Sequence, residues 1–122
     1  HLKTGIGRLS AYCGAVSAGV GAGAGIAYLK GGRFETIAHT VVNAIAVTSG
    51  IICDGAKASC AAKIAASVDA GLLGLAMFES GNQFFDGIVK KGVENTIATV
   101  GKLARIGMEQ TDKEIIHLMM EA

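Results

Sequence analysis

The sequence contains no proline and no tryptophan. Without proline, no helix interior is obliged to lose a backbone N–H or to kink. Two tyrosines and four phenylalanines give few platforms on which bases could stack. An excess of charge is missing too: eleven basic and ten acidic residues are mixed along the chain, for a net charge of +1. No basic stripe runs through it, so a nucleic-acid partner is not expected. H-E-x-x-H, the Walker loop and G-x-S-x-G are all absent, which excludes the commonest metalloprotease, P-loop and α/β-hydrolase chemistries. Also missing is any alternating run long enough for a convincing strand.

What is abundant is glycine, with 18 residues, and apolar residues at 51%, rich in alanine. Glycine at this level, without a G-X-Y repeat or proline, fits neither collagen nor a disordered linker. It fits helices whose backbones pack close together. The expected fold is all-α, a compact bundle of about five helices around a buried Gly/Ala-rich central helix. At 122 residues the chain is one domain's worth. It begins at His1 with no signal or tag in view, so residues 1–122 are expected to be a single helical domain cut from a longer protein.

After an entry segment at 1–7, residues 8–29 are almost continuously apolar, and residues 11–29 form a nineteen-residue run without a charge. That is close to the length of a membrane span, with Gly19 and Gly23 forming a GxxxG pair. Glycine and alanine dominate it, however, and such residues insert weakly. A central helix of a bundle is therefore expected rather than a membrane segment, with Gly14, Gly19, Gly21, Gly23 and Gly25 permitting close contact and Gly31–Gly32 stopping it. Residues 33–49 read as a second helix with Phe34, Ile37, Val41, Ala44, Ile45 and Thr48 toward the core. His39 and Asn43 share a face four residues apart and read as a solvated or satisfied polar pair. Gly50 breaks this helix. A third covers about 57–80, with Asp69 either facing water or partnered. Residues 80–83 are a turn and 84–92 are ambiguous. A fourth helix covers 93–108, and Thr111 with Glu114 is a capping box opening the last one.

The Gly19–Gly25 alternation has the outline of a dinucleotide loop, but no strand precedes it. The three cysteines, Cys13, Cys53 and Cys60, carry more chemistry. An odd number cannot complete a disulfide framework within the chain, and with no export signal they point to a reducing, cytoplasmic setting. Three thiolates can hold a four-iron cluster with one iron open to substrate, because soft sulfur suits the cluster iron. Buried structural thiols are the blander reading. Seven residues of continuous helix would put Cys53 and Cys60 about 10 Å apart, so they can share a cluster only if residues 54–58 are not all helical.

The segment Gly7-Arg8-Leu9-Ser10-Ala11-Tyr12-Cys13-Gly14, the Gly/Ala-rich helix ending Tyr28-Leu29-Lys30-Gly31-Gly32, and the stretch from Gly50-Ile51-Ile52-Cys53-Asp54-Gly55 to Lys57-Ala58-Ser59-Cys60-Ala61 carry a family likeness. They resemble the L-cysteine desulfidase-like family, related to the alpha chain of iron–sulfur L-serine dehydratase. The closing Gly107-Met108-Glu109-Gln110-Thr111-Asp112 and the helix after it are similar too, so the resemblance runs over the whole chain. Members are much longer, and the chain resembles their C-terminal part. The resemblance implies a [4Fe–4S] enzyme free of pyridoxal phosphate that eliminates the β-substituent of a small amino acid. Cysteine would give sulfide, ammonia and pyruvate; serine would give water, ammonia and pyruvate. It implies Cys13 and Cys53 as cluster ligands, with the third supplied by the missing N-terminal part. Cys60 reads as a buried thiol rather than a ligand, although the serine dehydratases, which keep their cysteines in this region, would bring it in. Lys57, Asp54 and Ser10 are candidate substrate-binding residues. The plain alternative for the first two is that Asp54 caps the third helix and Lys57 is solvated. For the 122 residues alone neither cluster nor turnover is expected. The rival reading is a non-catalytic helical domain that binds a partner or forms a homo-oligomer.

Overall fold

A computed structural model describes residues 13–53, 55–84, 86–89 and 91–121. Among these there are five α-helices and no strand: α1 (Gly14–Leu29), α2 (Phe34–Thr48), α3 (Ser59–Glu79), α4 (Val93–Lys102) and α5 (Glu109–Met120). A π-helical turn, Leu103–Gly107, continues α4 toward α5. The all-α expectation holds, and the glycines end the helices where expected. After α1, Gly32 N–H donates to Ala27 O and Gly31 N–H to Tyr28 O, with Gly31 at φ +87. After α3, Asn82 and Gly81 repeat the same pattern onto Met77 O and Phe78 O. Both are helix stops in which a left-handed residue lets the chain satisfy the last carbonyls.

Helices α1, α2 and α3 pack pairwise into a three-helix core. Its closest seam joins α1 to α3. A Cβ on Gly19 would meet the Ser67 backbone carbonyl carbon at 2.3 Å, and one on Gly23 would meet Gly71 Cα at 2.6 Å. The GxxxG pair of α1 thus faces a small-residue pair of α3, so the two backbones nearly touch. Both contacts share one register, residue n against n+48, so α1 and α3 run parallel. Helix α2 runs antiparallel to them. It reaches α3 where a Cβ on Gly74 would lie 2.8 Å from Thr40 O. It reaches α1 where Ala44 packs with Val16 and Val20.

Several expectations change. Only Gly19 and Gly23 of the α1 glycines make close contact; Gly14, Gly21 and Gly25 have nothing within 4 Å of a built Cβ. The α1 helix is therefore buried along one side only. The stripe drawn on α2 holds at Ala44 and Thr48, which are buried, and at Val41 and Ile45, which pack on the core, but Phe34 is 77% exposed and Thr40, Val42 and Asn43, outside the stripe, are buried too. Polar groups can enter this core because the Thr40 and Thr48 hydroxyls donate to carbonyls one turn back. The buried Ser67 hydroxyl does the same to Lys63 O. Helix α5 begins at Glu109, with Met108 at its N-cap and no side-chain cap, so Thr111 lies inside the first turn rather than capping it. Asp69 is exposed, one of the two outcomes expected for it. At 21 residues α3 is the one described helix long and apolar enough, by length and composition, to cross a membrane; α1 has 16 residues. In this fold α3 lies against both α1 and α2.

Candidate metal centre

The parallel course of α1 and α3 and the return of α2 bring three chain segments to one end of the bundle. These are the start of α1, the loop leaving α2 and the start of α3. Each carries a cysteine. Cys13 is the N-cap residue of α1 and is 7% exposed. Its N–H donates to Ile51 O at 2.9 Å, which fastens the α1 start to the segment leading into Cys53. On the other side of that segment, Lys63 Nζ donates to Ile52 O at 2.7 Å, tying it to α3. The Cys53 loop is thus held by its backbone from two directions. Such clasps fix a ligand's position without using its side chain.

Helix α3 begins at Ser59, and Gly55 and Ala56 both have positive φ, +79 and +53. Residues 55–58 are therefore outside the helix, and the condition for Cys53 and Cys60 to share one centre is met. Cys60 is half-buried, not buried, and its N–H donates to Lys57 O. By the α1–α3 register Cys13 is level with Ala61, so Cys60 also belongs to this end. None of the three cysteines is in a disulfide. Among the described residues, no three His, Cys, Asp or Glu side chains come together as a metal-holding group. The soft-sulfur requirement of an iron–sulfur centre is met in kind, by Cys13 and Cys53 on backbone-anchored segments. A full ligand set is not present among the described residues.

An apolar cleft of about 300 Å³ opens beside Cys13, between α1, α2 and α4. Val16, Val20, Val41, Ile45 and Val100 form its walls, so the inner side of Cys13 is shielded by hydrocarbon. Lys57 is exposed two residues before α3 begins. The N-cap position of α3 is Ala58, without a side-chain cap. Asp54 and Ser10 themselves lie outside the described residues. His39 stacks flat on Phe78, with ring centroids 5.2 Å apart, and Asn43 is fully buried. Sequence reasoning passed over Lys63, whose role is carried by a backbone carbonyl and leaves no motif. It also passed over Ala56, whose left-handed backbone is unusual for a residue with a Cβ.

A profile of the serine dehydratase alpha chain family matches residues 1–117. The chain belongs to that family. It is 66% identical to a UPF0597 protein of Desulfitobacterium hafniense over 98% of its length, which is 28% of that relative. It is 51% identical to a UPF0597 protein of Treponema denticola, over 99% of this chain and 28% of the relative. A UPF0597 protein of Lachnoclostridium phytofermentans is 54% identical, over 98% and 29% respectively. The chain thus spans a little more than a quarter of the curated relatives it matches. No solved structure matches it.

Proposed function

We propose that the full-length protein is an iron–sulfur-dependent amino-acid lyase, free of pyridoxal phosphate, acting by α,β-elimination on L-cysteine or L-serine. The observation that carries this reading is the serine dehydratase alpha chain match over residues 1–117, a span that includes Cys13 and Cys53. A [4Fe–4S] cluster held by Cys13, Cys53 and a third thiolate from elsewhere in the full-length chain would supply an open iron as a Lewis acid toward the departing hydroxyl or thiol. The chain's own residues do the rest of what is proposed here. Valines and Ile45 keep water from the inner side of Cys13. Lys57, at the approach to the α3 N-terminus, meets the substrate carboxylate where the helix dipole also favours an anion. Asp54 and Ser10 are proposed as further substrate contacts from their place in the family motifs.

The reaction balances as loss of the α-proton and the β-substituent, giving water or hydrogen sulfide and aminoacrylate. Uptake of one water by the imine tautomer then releases pyruvate and ammonia. Thiolate ligands of this kind call for a reducing compartment, and a cytoplasmic location is proposed with them. The test is an anaerobic assay of the full-length protein with each amino acid. Pyruvate from at least one of the two, with sulfide only from cysteine, is expected of a lyase of this class, and the ratio of kcat/KM names the substrate. Absence of pyruvate from both would overturn the reading.

A further inference from the structure

The α1–α3 pair has a face turned away from α2, and nothing in the described structure covers it. On α1, Ala22, Ile26 and Leu29 recur at helical spacing and are half-buried or exposed, Leu29 by 83%. On α3, Ile64, Val68 and Leu72 recur every four residues, with Ile64 53% and Leu72 43% exposed. These stripes lie well round each helix from the positions that meet α2, which are Val20 on α1 and Gly74 on α3. In the parallel register the two stripes are staggered along one surface: Ile64 and Val68 lie level with residues 16 and 20 of α1, and the α3 stripe meets the α1 stripe where Leu72 comes beside Ala22. Neither stripe contains a charge.

We propose that this surface is the seat of an apolar helix from the part of the full-length polypeptide outside these 122 residues, packed opposite α2. Contiguous apolar patches of this kind are seldom left bare. The relatives have the chain to cover it, since these residues span only 28% of their length. A segment of the same polypeptide has an effective concentration in the millimolar range for a short tether, which a second copy reaches only in concentrated solution. The lack of charge selects an aliphatic, small-residue helix over an acidic or basic partner. With that helix in place, α1 becomes buried on a second side, as its composition demands. The inference uses the family's chain length and not its chemistry, so it stands or falls separately from the lyase reading.

The test uses full-length protein carrying Leu72→p-benzoylphenylalanine, prepared as a mixture of nitrogen-14 and nitrogen-15 chains and irradiated. The expected product joins residue 72 to a peptide outside these 122 residues, within one isotopic chain. A mixed-isotope product, marking a second copy, or a lipid adduct, marking a membrane surface, would overturn the proposal. So would an unreacted probe. In case the bulky probe disturbs packing, Ala22→Cys is compared with Lys113→Cys for maleimide labelling located by mass spectrometry. At least tenfold slower labelling at position 22 is expected at every protein concentration; equal rates, or protection that appears only at high concentration, would overturn it.

Discussion

Asn43 has no exposed surface, and its amide donates to Gly74 O at 3.1 Å and to Asn82 O at 3.3 Å. One side chain of α2 thus grips α3 both in its last turns and just past its end. Its Oδ1 is buried without a hydrogen-bond partner among the described residues, so the site carries a desolvation cost that the two donated bonds offset. Asn43→Ala removes both bonds and leaves a small void, and is expected to cost about 2–4 kcal/mol, read as a lower midpoint in urea unfolding. Asn43→Asp is expected to be worse, since a buried carboxylate has no amide hydrogens to donate. The sequence placed Asn43 beside His39 correctly, as helical neighbours. It did not reveal that Asn43 points into the core, because one polar residue between Val42 and Ala44 looks the same whether it faces water or a neighbouring backbone.

At the scale of elements, the α1–α3 seam rests on glycine. Gly19→Ala and Gly23→Ala would each place a Cβ against backbone atoms of α3, at 2.3 and 2.6 Å. Backbone cannot move aside as a side-chain end can, so each change is expected to cost about 3 kcal/mol or more, seen as a fall in Tm. The loop carrying Cys53 depends on a different contact. Lys63→Met removes the bond to Ile52 O and is expected to speed iron loss from reconstituted protein several-fold, while Tm moves by only a few degrees. An equal loss of both would assign Lys63 to general stability instead. Helix ends were legible because glycine after an apolar run has one economical conformation, and both helix stops followed it. The burial of Thr40 and Asn43 on α2 was not, because they meet the α3 backbone around Gly74 rather than large apolar side chains. A hydrophobic stripe reports only on the latter. The start of α5 was misplaced because Thr111 and Glu114 match the spacing of a capping box, while the π turn before them delivers the chain already helical at Glu109.

At the scale of the molecule, an up–down–up core gathers the start of α1, the exit of α2 and the start of α3 at one end. Cysteines forty residues apart in sequence are brought to the same region by that topology. The all-α class and the family were readable from glycine content and the cysteine-bearing motifs. The clasps that fix the Cys53 loop end on the backbone carbonyls of Ile51 and Ile52 and were not. Among the described residues no group of three metal-holding side chains forms, so the proposed cluster needs a ligand from the rest of the full-length protein, and residues 1–122 expressed alone are expected to retain no cluster in air. The proposed iron–sulfur cluster is held by Cys13 and Cys53. The most direct measurement is the visible absorbance of the full-length protein after anaerobic reconstitution with iron and sulfide. A broad brown band is expected in the unaltered protein and in Cys60→Ser, and its loss in Cys13→Ser and in Cys53→Ser. A band that survives both of those changes, or no band in the unaltered protein, would contradict the account.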